Sequence, residues 1–197
     1  MKLSYAPLEN QFVRLAPLTE EHREPLRPLA DDPEIWALST VRGGGAHFDT
    51  WFGDRLNEQS AGDAMSYAVW VKAAEAFCGH TSYLAICAEQ ARLEIGWTWY
   101  AAPYRGGAVN PSCKRLLLGH AFAAGAERVE LKTHGRNERS QRAMKKMGAQ
   151  YEGTLRRYVE TWTGERRDNA YFSVLREEWP SVMAGLDQRI ADFSEAN

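Results

Sequence analysis

Residues Glu94–Asn110 read EIGWTWYAAPYRGGAVN, and the fold is decided by how they are read. Leu93–Tyr100 is rich in β-branched and aromatic residues and reads as a strand. It breaks into a Gly-rich basic turn, and an apolar stretch from Pro111 to Ala124 re-enters a helix that Gly125 ends. Asn110 is placed to cap that helix. Pro111 then takes its first position, where a missing N–H costs nothing. Backbone N–H groups at such a turn point outward, and the helix dipole favours negative charge there, so the segment suits a pyrophosphate. Arg105 brings a cation, and Gly106 and Gly107 bring room for close backbone approach. The run lacks both the GK[ST] ending of a nucleoside-triphosphate loop and the third glycine of a dinucleotide fingerprint.

Working outward, Phe12–Leu18 alternates and reads as a first strand. Thr19 caps a helix expected to run to about Asp31, with Glu20 and Glu21 in its first turn. RGGG at Arg42–Gly45 has no strand before it and reads as a flexible loop that could border a substrate opening. Phe48, Trp51, Phe52 and Leu56 recur at helical spacing. Met65–Val71 and Phe77–Ile86 read as strands. Val129, Leu131 and Thr133 alternate with Glu130 and Lys132, which gives a strand with one buried face. Asn137 caps a further helix that carries Lys145 and Lys146 in its last turn and Gly148 just after. Tyr151–Thr161 and Asn169–Leu175 pair as a hairpin around Thr163 and Gly164. A C-terminal helix is expected from about Glu177, packed on the outside or on another subunit. The chain reads as one domain over 1–197.

Two signatures resemble those of the GNAT superfamily of N-acetyltransferases. The first is Q/R-x-x-G-x-G/A. Arg105 matches its first position, while Ala108 stands where the family usually has Gly, and Asn110 where it has Gly or Ala. In the second, an Asn is followed by a small residue three on and a Gly eleven on, here Asn137, Ser140 and Gly148. Met144 replaces the frequent tyrosine. The closest branch includes the ribosomal-protein N-terminal acetyltransferases, and the resemblance runs from LENQFVRLAPL to YFSVLREEWP. It implies an α/β fold with a mixed, mostly antiparallel twisted sheet of about seven strands flanked by helices. It also implies acetyl-CoA as acetyl donor, held at Arg105, Gly106, Gly107, Ala108, Val109 and Asn110. Main-chain N–H groups near Trp99 and Tyr100 would polarise the thioester carbonyl, and Asn137 and Ser140 would meet the pantetheine and the sulfur.

Glu94 on the central strand is the candidate base, desolvated beside aromatics; its alternative role is a salt bridge to Arg92 or an edge contact. His80 is the rival base. Ser140 is the candidate acid, or else only helps cap its own helix. Tyr67 and Trp97 are candidates to line the acceptor site. Arg139 and Arg142 are candidates to reach the adenosine phosphates. The reaction expected is direct attack of a primary amine, from a small molecule or a protein N-terminus, in a ternary complex. A non-catalytic coenzyme A-binding module and a transferase of longer acyl groups are the alternatives.

Bulk properties exclude other classes. A net charge of -2 gives no reason to expect nucleic acid. No stretch approaches the length of a membrane span. MKLSYAPLENQF lacks an apolar signal core, so a cytoplasmic location is expected. Cys78, Cys87 and Cys113 are odd in number and lack metal spacing; they read as reduced, with no metal site. Cys113, near the start of the anion-binding helix, has a thiolate to gain from the dipole, against the plainer reading of a packed small residue. A homodimer through the C-terminal helix is open.

Overall fold

The computed structural model describes residues 1–195. The strands are β1 (Leu8–Glu9), β2 (Val13–Pro17), β3 (Met65–Val71), β4 (Ala76–Cys87), β5 (Arg92–Tyr100), β6 (Arg128–His134), β7 (Gln150–Glu160) and β8 (Arg166–Leu175). They form one eight-stranded sheet in the order β1-β2-β3-β4-β5-β6-β8-β7. Every neighbouring pair is antiparallel except β5 and β6. Seven strands fall where the sequence places them. The two-residue β1 is added, too short to show a periodicity.

The helices are α1 (Arg23–Leu26), α2 (Pro33–Trp36), α3 (Phe48–Ala61), α4 (Val109–Ala123), α5 (Glu138–Met147) and α6 (Trp179–Glu195). The single helix expected from Thr19 to Asp31 is instead a chain of short turns, with 3-10 turns at Glu20–His22 and Pro28–Asp31 around α1. Prolines at 25, 28 and 33 each remove a helical donor, and so prevent one continuous ladder. Thr19 does sit at the N-cap of the first turn.

Two apolar layers sandwich the sheet. On one face Leu93, Ile95, Tyr100, Leu117, Leu118, Leu131, Phe172 and Leu186 belong to one cluster, built with α4 and α6. On the other, Leu26, Trp36, Phe48, Trp51 and Phe52 from α1–α3 close over Ala68 and Trp99. The C-terminal helix thus packs on its own chain. Phe122 stacks on Trp179 at 5.4 Å, and Arg115 pairs with Asp187 at 2.7 Å.

The parallel pair is the feature that opens the sheet. β5 and β6 are in register only from Arg92↔Arg128 to Glu94↔Glu130, whereas β6 stays paired with β8 along its whole length. Beyond Glu94 the two strands diverge into a fork.

Candidate active site

A cavity of about 970 Å³ fills the fork, lined by β5 from Glu94 to Tyr100, the turn after it, and the first half of α5. One irregularity shapes its wall. Thr81 of β4 faces two residues of β5, Trp97 and Thr98, because His80 pairs with Trp99 and Ser82 with Gly96. This β-bulge inverts the alternation, so Ile95 and Tyr100, five apart, share one core cluster. Glu94 and Thr98 therefore point to opposite faces of the strand. Trp97 carries the strain, with φ +48°. Three neighbours hold it: His80 Nδ1 lies 2.9 Å from its carbonyl oxygen, Thr81 and Thr98 hydroxyls meet at 2.8 Å, and the Arg55 guanidinium lies 4.4 Å from its ring.

His80 is accordingly part of the scaffold. It is fully buried, its ring meets Trp51 edge-on at 5.2 Å, and it does not line the cavity. Burial pulls its pKa down to about 3, so the imidazole is neutral. Tyr67 is corrected likewise. It is fully buried against Tyr5 and Tyr83, away from the cavity, because its side of β3 faces the core. Trp97 does line the cavity.

Glu94 stands at the tip of the fork with its side chain 12% exposed. Its ion-pair partner is Lys132 at 2.7 Å, not Arg92, which lies instead 3.9 Å from Glu130. Burial raises the Glu94 pKa, and Lys132 opposes the rise. Across the cavity, Asn137 Oδ1 accepts from Ser140 N–H at 3.1 Å and caps α5, and Gly148 closes it at φ +100°. Both expectations hold. Asn137, Ser140, Met144 and Arg139 all line the cavity; Arg142 does not, and pairs with Glu138 at 3.0 Å on the exposed side.

The turn differs in two ways from its reading. The helix begins two residues earlier, at Val109, with Ala108 in the flanking position, so Asn110 lies inside the first turn and does not cap. Pro111 is tolerated because the first turn lacks N–H acceptors in any helix. Arg105 is not a free cation. Its Nε donates to Tyr100 O at 2.7 Å, and its guanidinium binds Asp32 at 2.6 Å and Glu34 at 3.3 Å. It staples the turn to the segment that roofs the cavity. The amides of Gly106, Gly107, Ala108, Val109 and Asn110 donate to no acceptor among the described residues. A Cβ added at Gly106 or Gly107 would meet nothing within 4 Å. Gly106, Gly107 and Asn110 face the cavity, whereas Val109 is buried beneath it. Tyr100 O is taken by Arg105, and Ala101 N–H reaches β4 at Cys78 O. Strand alternation then directs the Tyr100 N–H into the fork and the Trp99 N–H toward β4. Free amides, open glycines and an opened strand fit a phosphate-bearing ligand with an extended amide chain.

Cys113 is fully buried, and burial pushes its thiol up to about 12, so the helix start does not produce a thiolate. Sequence reasoning missed several lining groups. Residues 34–40 roof the cavity, held by Arg167 to Leu38 O at 2.6 Å and by Trp162 Nε1 to Trp36 O at 2.8 Å. No local pattern announces contacts across more than a hundred residues. Lys114 did leave a signal: it lies three and four residues before Leu117 and Leu118, a charge on the apolar stripe of α4. Among the described residues no group of His, Cys, Asp or Glu could hold a metal ion, and no helix is long and apolar enough to cross a membrane.

Comparison with known proteins identifies the fold and the family. Residues 13–150 match the family model described as an acetyltransferase (GNAT) domain. A T. thermophilus protein described as an acetyltransferase superposes with a TM-score of 0.87 at 34% identity, over 96% of this chain and 100% of that one. A GCN5-related N-acetyltransferase from Brucella melitensis gives 0.87 at 25% identity, over 95% and 86%. RimJ of Mycobacterium smegmatis, solved with CoA-disulfide, shares the fold with a TM-score of 0.78 at 21% identity, over 95% and 94%. No curated protein matches the chain in sequence. With 138 of its residues inside the matched model, the chain belongs to the GNAT acetyltransferase family.

Proposed function

We propose that the fork binds acetyl-CoA and that the chain transfers its acetyl group to a primary amine by direct attack in a ternary complex. One observation carries this reading: the unused amides of Gly106, Gly107 and Asn110 and the carboxylate of Glu94 belong to residues that line the same cavity. The amides would hold the pyrophosphate, Asn137 and the β5 edge would hold the pantetheine, and the Tyr100 N–H would face the thioester carbonyl. The donor supplies an activated thioester; the chain supplies position, which is a large part of the rate in such transfers.

Glu94 takes the proton of the acceptor ammonium, directly or through water. It is suited to this because burial makes its carboxylate more basic than usual, and it lies on the face of β5 opposite Thr98 and α4. Ser140 stands on the α5 side, where a hydroxyl can hydrogen-bond the sulfur. The burial of Cys113 and its neutral thiol favour direct attack over an acyl-cysteine. The acceptor would be a small amine or a protein N-terminus. A second reading, a coenzyme A-binding module without turnover, draws on Met144, which lines the cavity where a tyrosine would bring a proton donor.

The pH profile of turnover tests the mechanism. A base works only when unprotonated, so the wild-type rate should fall as pH drops through the raised Glu94 pKa. Glu94→Gln should lose roughly 10²-fold or more at neutral pH, and alkaline pH should partly restore the rate because more acceptor is already neutral. Ser140→Ala should lower the rate and leave the acidic limb in place. An unchanged rate and profile in Glu94→Gln would remove it as the base.

A further inference from the structure

Lys114 is a buried charge without a matching partner. The residue is 7% exposed and lines the cavity. Its Nζ has one hydrogen bond, 3.3 Å to Thr98 Oγ1, and no carboxylate lies within ion-pair distance among the described residues. That hydroxyl is already engaged, with Thr81 Oγ1 at 2.8 Å and Gly96 O at 3.3 Å. An ammonium has three donors and is expensive to bury with so few acceptors. Such a group is built to meet something that enters the cavity.

Its placement says what. The bulge turns Thr98 toward α4, so Lys114 reaches the fork from the face opposite Glu94, a short way beyond the fork tip. Ser140 and Met144 of α5 line the same cavity, and the Met144 thioether has no proton to give. The charged groups around Lys114 do not neutralise it. Glu94 on β5 attracts it but is paired with Lys132 of β6 at 2.7 Å, Cys113 beside it is a neutral thiol, and Arg139 of α5 and Arg167 of β8 line the cavity as further cations.

Resting on the acetyl-CoA reading, we propose that Lys114 is the proton donor to the departing coenzyme A sulfur, in the role the Met144 thioether cannot fill. The acceptor nitrogen bonds to the acyl carbon, the carbon–sulfur bond breaks, and its electron pair stays on sulfur. Lys114 Nζ delivers a proton to that sulfur, while Glu94 receives the proton the amine sheds. Lys114, now a neutral amine, regains a proton from Glu94 or from water, and no electrons are exchanged. Burial brings the Lys114 pKa down to about 8, which suits a group that must both give and regain a proton near neutral pH.

The test needs no acceptor. Free coenzyme A is the probe, its thiolate followed by ultraviolet absorbance against pH, with the signal of the ligand-free protein subtracted. Bound to the wild-type chain, the thiol should titrate about 1–3 units below its value in solution, as an opposite charge at close range dictates. Bound to Lys114→Met it should titrate at or above the solution value. Lys114→Gln, which keeps a hydrogen-bond donor without the charge, should follow Lys114→Met, and Ser140→Ala, which removes a neutral hydrogen bond and no charge, should shift the titration less than Lys114→Met does. Identical bound-thiol titrations in wild type and Lys114→Met, with coenzyme A still bound, would overturn the proposal. Calorimetry separates the other failure: a wild-type chain that does not bind coenzyme A overturns the acetyl-CoA reading, and this inference with it.

Discussion

Two stretches of this chain begin almost alike, RGGG at Arg42–Gly45 and RGG at Arg105–Gly107, and their glycines serve opposite ends. A Cβ at Gly43 would lie 2.5 Å from the Trp36 ring and 2.7 Å from Trp51, and one at Gly44 would lie 2.6 Å from Ala30 O. Both residues are buried. The first run is therefore a packed corner of the α1–α3 layer, and its reading as a flexible loop is corrected. At Gly106 and Gly107 a Cβ would meet nothing of the protein within 4 Å. Glycine in the first run makes room for the protein's own tryptophans; glycine in the second leaves room beside unused amides. Composition alone cannot separate the two, because the difference lies in what the rest of the chain brings against them.

The comparison breaks if the two runs respond alike to substitution. The largest effect expected is at Gly107→Asp, which puts a carboxylate where a pyrophosphate would lie. Coenzyme A binding should be lost in calorimetry while the urea midpoint stays near that of the wild type; retained affinity would return this turn to ordinary structure. Gly43→Ala should do the reverse. Forcing a methyl group between two rings costs about 1–3 kcal/mol of stability, read as a lower urea midpoint. Its coenzyme A affinity, measured where the variant is folded, should stay within a few-fold of the wild type, and an undiminished midpoint would contradict the packing described.

A smaller effect sharpens the scaffold side of the contrast. His80 binds a proton in the unfolded chain near pH 6.5 but in the folded one only near pH 3. Between these values the unfolded state holds more protons, so stability should rise with pH across that window and be lost as pH falls through it. Urea midpoints at several pH values should show a shallower slope there in His80→Gln than in the wild type. Equal slopes would mean that the imidazole is not held neutral by the core.

Much of the architecture was legible because it is written in local signals. Asn137 and Gly148 mark the ends of α5 by their own chemistry, and alternation marks β6. The opening segment was misread because its prolines fragment a helix that Thr19 and its acidic neighbours announce. Arg105 was legible only as a cation of the turn; that its guanidinium binds Asp32, seventy-three residues away, is a fact of folding. Glu94 was found but its partner was not, since Lys132 arrives on the next strand and two residues along. The bulge at Trp97 leaves no mark in sequence, for a tryptophan rarely adopts positive φ. Without the bulge, Thr98 would face with Glu94, and the meeting of Thr98 with Lys114 could not be foreseen.

On this reading the acyl donor binds in the fork between β5 and β6, and not merely at a Gly-rich turn. A crystal structure of the chain with coenzyme A tests it most directly. The pyrophosphate is expected against the amides of Gly106–Asn110, the pantetheine along the free edge of β5, and the sulfur within reach of both Lys114 and Ser140. Coenzyme A bound elsewhere, with the fork closed by side chains, would contradict it.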